Sequence, residues 1–216
     1  MLSITRTMAE QLSLLGLEPA EAGLFRPEVI NSWRGEPEGY TLFLALFPRP
    51  EDARQIARAA AALRGRHGLT SACLPPERLH ITLHAVAKFR ELIPQAPIDA
   101  ARAAAARVSC TSLPIVFDHA MSFPPSKAFV LRCDASSAAG IARLRQLLAL
   151  ELRRFGLRPD ASSTPHMTML YQSGFVAEHS ITPINWIATR YALILSHKGV
   201  THHQWLGEWA MPPAAS

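Results

Sequence analysis

A repeated segment sets the tightest limit on what this chain can become. Leu79 to His84 reads Leu-His-Ile-Thr-Leu-His, and Pro165 to Leu170 reads Pro-His-Met-Thr-Met-Leu. Each places a His two residues before a Thr inside an apolar run, and in an extended strand residues i and i+2 share a face. His80 and Thr82 therefore point one way with Ile81 and Leu83 turned the other, and His166 and Thr168 stand in the same relation to Met167 and Met169. One His-x-Thr carries almost no information, because so short a string recurs by chance. Two of them in matched surroundings carry a great deal.

The surroundings match over some forty residues. Tyr40 to Phe47 is apolar and aromatic and reads as a buried strand. Pro48 and Pro50 end it and open a helix whose first turn holds Glu51 and Asp52, where the helix dipole favours acids. That helix continues through Ala53 to Leu63, Gly65 and Gly68 close it, and a loop through Pro75 and Pro76 leads to the strand Leu79 to Phe89. In the second half, Lys127 to Cys133 reads as a strand. Ala138 to Phe155 carries Ile141, Leu144, Leu147, Leu148 and Leu152 at helical spacing, Gly156 ends it, and Pro165 introduces the second His-Thr strand. Thr41 and His80 lie 39 positions apart, and Phe129 and His166 lie 37 apart. Two lobes built alike should meet about a pseudo-twofold axis, which brings both His-Thr pairs to one cleft.

The rest of the chain fills out this plan. Ala100 to Val108 reads as an Ala-rich helix, Leu113 to Met121 as a strand, Pro124-Pro125 as a turn, Asn185 to Ser196 as one strand, and His202 to Met211 as the last. The expected fold class is α/β (α+β), with two pseudo-symmetric lobes, each a mixed or antiparallel sheet with outer helices, around a central cleft. Residues 1–38 form an N-terminal extension, with one short amphipathic helix around Met8 to Leu15, and read as an arm lying over the body. Residues 39–216 form the domain. With 216 residues and 49% apolar side chains, one sizeable core in a single two-lobed domain is expected.

Charge and cysteine usage narrow the chemistry. A formal charge of +5 fits a polyanionic partner without requiring one. Only Lys88, Lys127 and Lys198 are lysines, so 19 of the 22 basic residues are Arg. That suits bidentate phosphate contacts and equally fits a coding bias. Cys73, Cys110 and Cys133 are odd in number and widely spaced, which indicates neither a disulfide framework nor a zinc site. His202-His203 are adjacent and point oppositely on a strand, so no metal is expected. No secretory core or membrane span is read, and a cytoplasmic monomer without a cofactor is the expectation.

Two His-Thr pairs facing one cleft suit metal-free chemistry at phosphorus. One imidazole takes a proton from the attacking oxygen and the other gives one to the leaving oxygen, while the hydroxyls donate to non-bridging phosphate oxygens. His80 and His166 are the catalytic candidates, and Thr82 and Thr168 the phosphate-binding ones. His84, two residues beyond Thr82, is expected on the same face and is a candidate substrate contact. Phe89, Phe123 and Tyr171 are candidates for stacking a base.

On these motifs the sequence resembles the two-histidine (2H) phosphoesterase superfamily. It is most similar to the bacterial RNA 2′,3′-cyclic phosphodiesterases first called 2′-5′ RNA ligases. The resemblance runs from about Tyr40 to about Met211. It departs after the first motif, where His84, Ala85, Val86 and Ala87 stand in place of a basic residue, Phe and Leu-Gly, and at Tyr171, where the family commonly has Arg. The resemblance implies hydrolysis of an RNA or nucleoside 2′,3′-cyclic phosphate to a 2′-phosphate. His80 would protonate the leaving 3′-oxygen and His166 would activate water, with 2′-5′ ligation as a side activity. Two alternatives stay open. One is a 2H esterase for another small cyclic phosphate, such as ADP-ribose 1″,2″-cyclic phosphate, or for a 2′-5′ oligonucleotide. The other is an RNA-binding module whose site has lapsed.

Overall fold

The computed structural model describes residues 39–90, 93–124, 126–160, 164–172, 174–197 and 202–214, all within one compact unit, Trp33–Ser216. The N-terminal arm and its expected helix at Met8 to Leu15 lie outside the described residues.

Among the described residues, eight strands make one continuous sheet. They are β1 (Tyr40–Leu46), β2 (Ile81–Phe89), β3 (Leu113–Phe123), β4 (Ala128–Cys133), β5 (His166–Tyr171), β6 (His179–Ala188), β7 (Arg190–His197) and β8 (His202–Ala210). Three helices join them, α1 (Pro50–Arg66), α2 (Gln95–Ala106) and α3 (Ala135–Arg154), and a 3₁₀ turn at Pro76–Arg78 precedes β2. The strand order is β6-β3-β4-β5-β2-β1-β7-β8. Read outward from the centre, β5-β4-β3-β6 on one side answers β2-β1-β7-β8 on the other. This is the pseudo-twofold plan, with the two motif strands adjacent in the middle.

Of the two sheet types expected, the antiparallel one is found at every pairing, because each repeat sends its helix-linked strand back beside the first one. Two expectations need correction. The segment Asn185 to Ser196 is two strands and not one. Trp186 and Ile187 belong to β6, which pairs β3 at one edge of the sheet, whereas Tyr191 onward belongs to β7 beside β1. The break falls at Thr189, whose carbonyl accepts from the Met211 N–H at 2.7 Å, so the chain leaves one lobe and enters the other there. The junction reads Ala188-Thr189-Arg190-Tyr191, without a Gly or Pro to mark it. Pro183 sits in β6, where an edge strand tolerates the missing donor. Finally, the Ala-rich helix begins at Gln95, five residues earlier than its alanines indicated.

Helices α1 and α3 form for legible local reasons. Pro50 takes the first turn of α1 with Glu51 and Asp52 beside it, and Arg64 and Arg66 complement its C-terminal end. Past that end Gly68 adopts φ +59°, a left-handed conformation that costs glycine nothing. Asp134 caps α3 by accepting from the Ser137 N–H at 2.8 Å, and Ser137 Oγ in turn accepts from Val116 N–H at 2.9 Å, which ties the helix start to β3.

All three helices pack on one face of the sheet. Ile56, Ala60 and Leu63 of α1, Ile98, Ala101, Ala104 and Ala105 of α2, and Ile141, Leu144, Leu148 and Leu152 of α3 share one core with Leu42, Leu44, Leu46, Ile81, Met167 and Met169. The four α3 residues are fully buried and contribute about 1.5–3 kcal/mol each by removal from water. Phe43, Ala45, Phe47, Ala192 and Ile194 form a separate small cluster on the opposite face. The histidines of the motifs belong to that second face.

Candidate active site

The two motif strands meet at a single paired position, Ile81 opposite Met167. In antiparallel register this sets His80 opposite Thr168 and Thr82 opposite His166, so each imidazole stands across from the hydroxyl of the other motif. Ile81 and Met167 are fully buried in the helix-side core, and the four polar residues are turned to the other face and half-buried.

Each imidazole is held in the same way. His80 Nδ1 donates to the Arg78 carbonyl at 2.7 Å, and His166 Nδ1 donates to the Thr164 carbonyl at 2.7 Å. In both cases the acceptor is two residues upstream, presented by the turn Pro76–Arg78 in one lobe and by the segment ending at Pro165 in the other. With Nδ1 carrying the fixed proton, Nε2 of each neutral ring is the nitrogen that can accept or deliver one. His179 makes a similar bond to Ala177 at 3.0 Å, but its Nε2 meets His67 Nε2 at 3.1 Å, so the bond alone does not make a site.

Electrostatics favours neutral rings before anything binds. Burial pushes His80 down to about 4, against the opposing pull of the Arg78 carbonyl, with the nearby charges of Arg78 and His166 lowering it further. Burial also lowers His166, again opposed by its carbonyl bond, and the positive charge of Arg145 adds to the lowering. An anion arriving between the two rings reverses these effects, since a neighbouring negative charge favours the imidazolium.

The walls on either side of the pair differ. Around His80 the wall is aromatic. Phe43 lies at 5.2 Å between ring centroids, Phe47 is stacked at 5.4 Å, and His203 stands edge-on at 5.4 Å. Phe47 passes the contact on to Trp205 at 4.7 Å, and the Arg190 guanidinium lies over the Trp205 ring at 5.6 Å. Around His166 the wall is mostly polar. Arg132 is its cross-strand partner on β4 and is ion-paired to Glu178, His119 follows on β3 with Nε2 at 3.2 Å from Ser180 Oγ, and Phe123 stands edge-on to the His166 ring at 4.8 Å.

The other sequence candidates fall elsewhere. His84 does not share the face of His80 and Thr82. Ala45 pairs with Thr82 and Leu44 with His84, which leaves Leu83 as a bulge and reverses the alternation beyond it. His84 is consequently 4% exposed on the helix side, where its Nε2 donates to the Arg145 carbonyl at 2.9 Å. Tyr171 is 56% exposed at the far end of β5, opposite Ala128, and Phe89 is buried in the core. Sequence reading missed Phe47, His203, Trp205 and Arg145. Phe47 directly follows β1, His203 and Trp205 are ordinary strand residues until β8 is folded back beside β7, and Arg145 looks like any solvent-facing helix residue. Among the described residues, no group of three or more His, Cys, Asp or Glu side chains is placed to hold a metal ion, and no helix is long and apolar enough to cross a membrane.

A family model described as the 2′-5′ RNA ligase superfamily matches residues 43–183. Among solved structures, the fold is shared with a phosphoesterase at 22% identity and a TM-score of 0.62, covering 82% of this chain and 99% of the other. E. coli LigT complexed with 3′-AMP is similar at 22% identity and a TM-score of 0.62, covering 81% and 99%. TT0787 of Thermus thermophilus is similar at 16% identity and a TM-score of 0.57, covering 81% and 100%. No curated protein gives a significant match.

Proposed function

The chain belongs to the 2′-5′ RNA ligase superfamily, and on that premise we propose that it hydrolyses the 2′,3′-cyclic phosphate of an RNA end or a nucleotide to a 2′-phosphate, without a metal ion. The observation that carries this reading is the paired anchoring of His80 and His166. Both rings are held through Nδ1 by a backbone carbonyl two residues upstream, and each stands across the seam from the other motif's Thr. Two imidazoles with their Nε2 atoms available are the minimum acid and base for such a displacement.

His166 Nε2 takes a proton from water as its oxygen attacks phosphorus, the bond from phosphorus to the 3′-oxygen breaks, and His80 Nε2 delivers its proton to that oxygen. His80 ends neutral and His166 protonated, and proton exchange with solvent resets the pair. Thr82 and Thr168 donate to the non-bridging oxygens, whose negative charge grows as the fifth bond forms. Because burial keeps His80 neutral in the free protein, the bound phosphate itself must draw in the proton that His80 later delivers. The aromatic wall of Phe47, His203 and Trp205 suits a planar base, since every base offers a face for stacking. This supports a nucleotide over a non-aromatic cyclic phosphate.

The test is turnover of a panel of 2′,3′-cyclic nucleotides and ADP-ribose 1″,2″-cyclic phosphate, in the presence of EDTA, with phosphorus NMR of the products. The expected result is a nucleoside 2′-phosphate. A 3′-phosphate would overturn the placement of His80 at the 3′-oxygen. Absence of turnover across the panel would overturn the hydrolase reading in favour of binding alone.

A further inference from the structure

We propose that Arg145 is a positioning residue for this site, a buried guanidinium that reaches from α3 of one lobe to the backbone of the other lobe's motif strand and locks the two His-Thr pairs into one frame. The inference rests on the proposed hydrolysis only for its kinetic consequence.

The need for such a strut follows from the seam. Elsewhere in the sheet, neighbouring strands share registers of five to eight paired positions, but β2 and β5 share only Ile81 opposite Met167. The geometry of the active pair spans that one position. A hinge-like seam is a poor way to hold two imidazoles on opposite sides of one phosphorus, where a displacement of about 1 Å costs on the order of 10²-fold in rate.

Arg145 bridges the seam from behind. It is 5% exposed, and its Nη2 donates to the carbonyl of Thr82, the motif threonine itself, at 2.6 Å. The carbonyl of Arg145 accepts from His84 Nε2 at 2.9 Å, so α3 grips β2 on both sides of the Leu83 bulge through one residue. The loop after α3 adds a third attachment, with Ala85 N–H donating to Asp160 Oδ1 at 3.0 Å. The bulge that turns His84 away from the cleft is thereby what makes it available to α3. A guanidinium carries several donors in a rigid plane, which a lysine ammonium does not reproduce.

The charge of Arg145 acts as well as its bond. The groups facing it are His166 from β5, Asp160 from the loop after α3, Cys133 from β4 and His84 from β2. Its positive charge lowers His166, while burial disfavours its own charged form and Asp160 favours it. Removing the charge should therefore let His166 titrate at higher pH, and keeping the charge while removing the fork should not.

The experiment compares Arg145→Lys and Arg145→Met in the full chain by kinetics on a 2′,3′-cyclic nucleotide and by NMR titration of the His166 imidazole without substrate. For Arg145→Met the expected result is a loss of kcat of about tenfold or more with little change in KM, and a His166 titration moved to higher pH. For Arg145→Lys the expectation is a smaller loss of kcat with the His166 titration close to wild type. Should the Met variant fail to fold, the Lys variant carries the kinetic test, since a kcat equal to wild type there would overturn the positioning role. A His166 titration identical in all three proteins would overturn the electrostatic part. The titration needs no turnover, so it stands apart from any failure of the hydrolase reading.

Discussion

His80 offers a prediction whose size follows directly from its surroundings. Burial holds its folded-state pKa at about 4 against an ordinary value of 6.5. Between those two pH values the unfolded chain binds a proton at His80 that the folded chain does not, so stability rises with pH across this window and falls as pH drops from 6.5 towards 4. At about 1.4 kcal/mol for each pH decade, the loss attributable to His80 reaches about 3 kcal/mol at pH 4 and levels off at about 3.5 kcal/mol below it. The assay is reversible urea unfolding of wild type and His80→Gln at matched pH values from 4 to 8, followed by tryptophan fluorescence. The substitution shifts stability by a constant, through the lost bond to Arg78, and removes the titration. The difference between the two curves should therefore change by about 3 kcal/mol over the window, with wild type losing ground as pH falls. Adding inorganic phosphate should shrink that difference, because an anion beside the ring stabilises the imidazolium. Curves that stay parallel would refute the burial argument and with it the claim that the free site holds a neutral His80.

Burial of the pair also separates two kinetic profiles. In the free protein both imidazoles titrate below 6.5, so kcat/KM should decline with rising pH from a limb on the acid side of that value, whereas kcat, which reports the phosphate-bound pair, should have its limb at higher pH. His80→Ala should regain activity on an aryl phosphodiester whose leaving group needs no proton, and His166→Ala should not; equal losses on both esters would remove the acid and base assignments. Thr82→Val and Thr168→Val should lower kcat more than they raise KM, as steady-state kinetics would show, because their donors act on charge that develops in the transition state. Away from the site, the Tyr191 hydroxyl donates to the Ala105 carbonyl at 2.8 Å from a side chain 1% exposed, so Tyr191→Phe should cost about 1–3 kcal/mol in urea unfolding without altering kcat.

Most of the elements and the placement of the two His-Thr pairs on one face were legible along the chain itself. The two His-x-Thr strings, the matched spans leading to them, the Pro-led and Gly-ended helices and the outward-and-inward alternation along each strand are local patterns. Local periodicity fixes which way a side chain points as long as the strand stays regular, and that was enough to put His80, Thr82, His166 and Thr168 on one face and to anticipate the pseudo-twofold plan. Folding settled whatever depends on what a strand lies beside. The Leu83 bulge, which exists only in the pairing of β2 with β1, took His84 out of the cleft and gave it to α3. The break at Thr189 split one expected strand between two lobes, because β6 and β7 find partners in opposite halves of the sheet. Phe47, His203 and Trp205 became one wall, and Arg145 reached the carbonyl of Thr82, across separations in sequence that no window of neighbouring residues spans. Alternation is a property of one strand, but registers, bulges and the contacts of a helix with a distant strand are properties of pairs, and only the folded chain brings the pairs together.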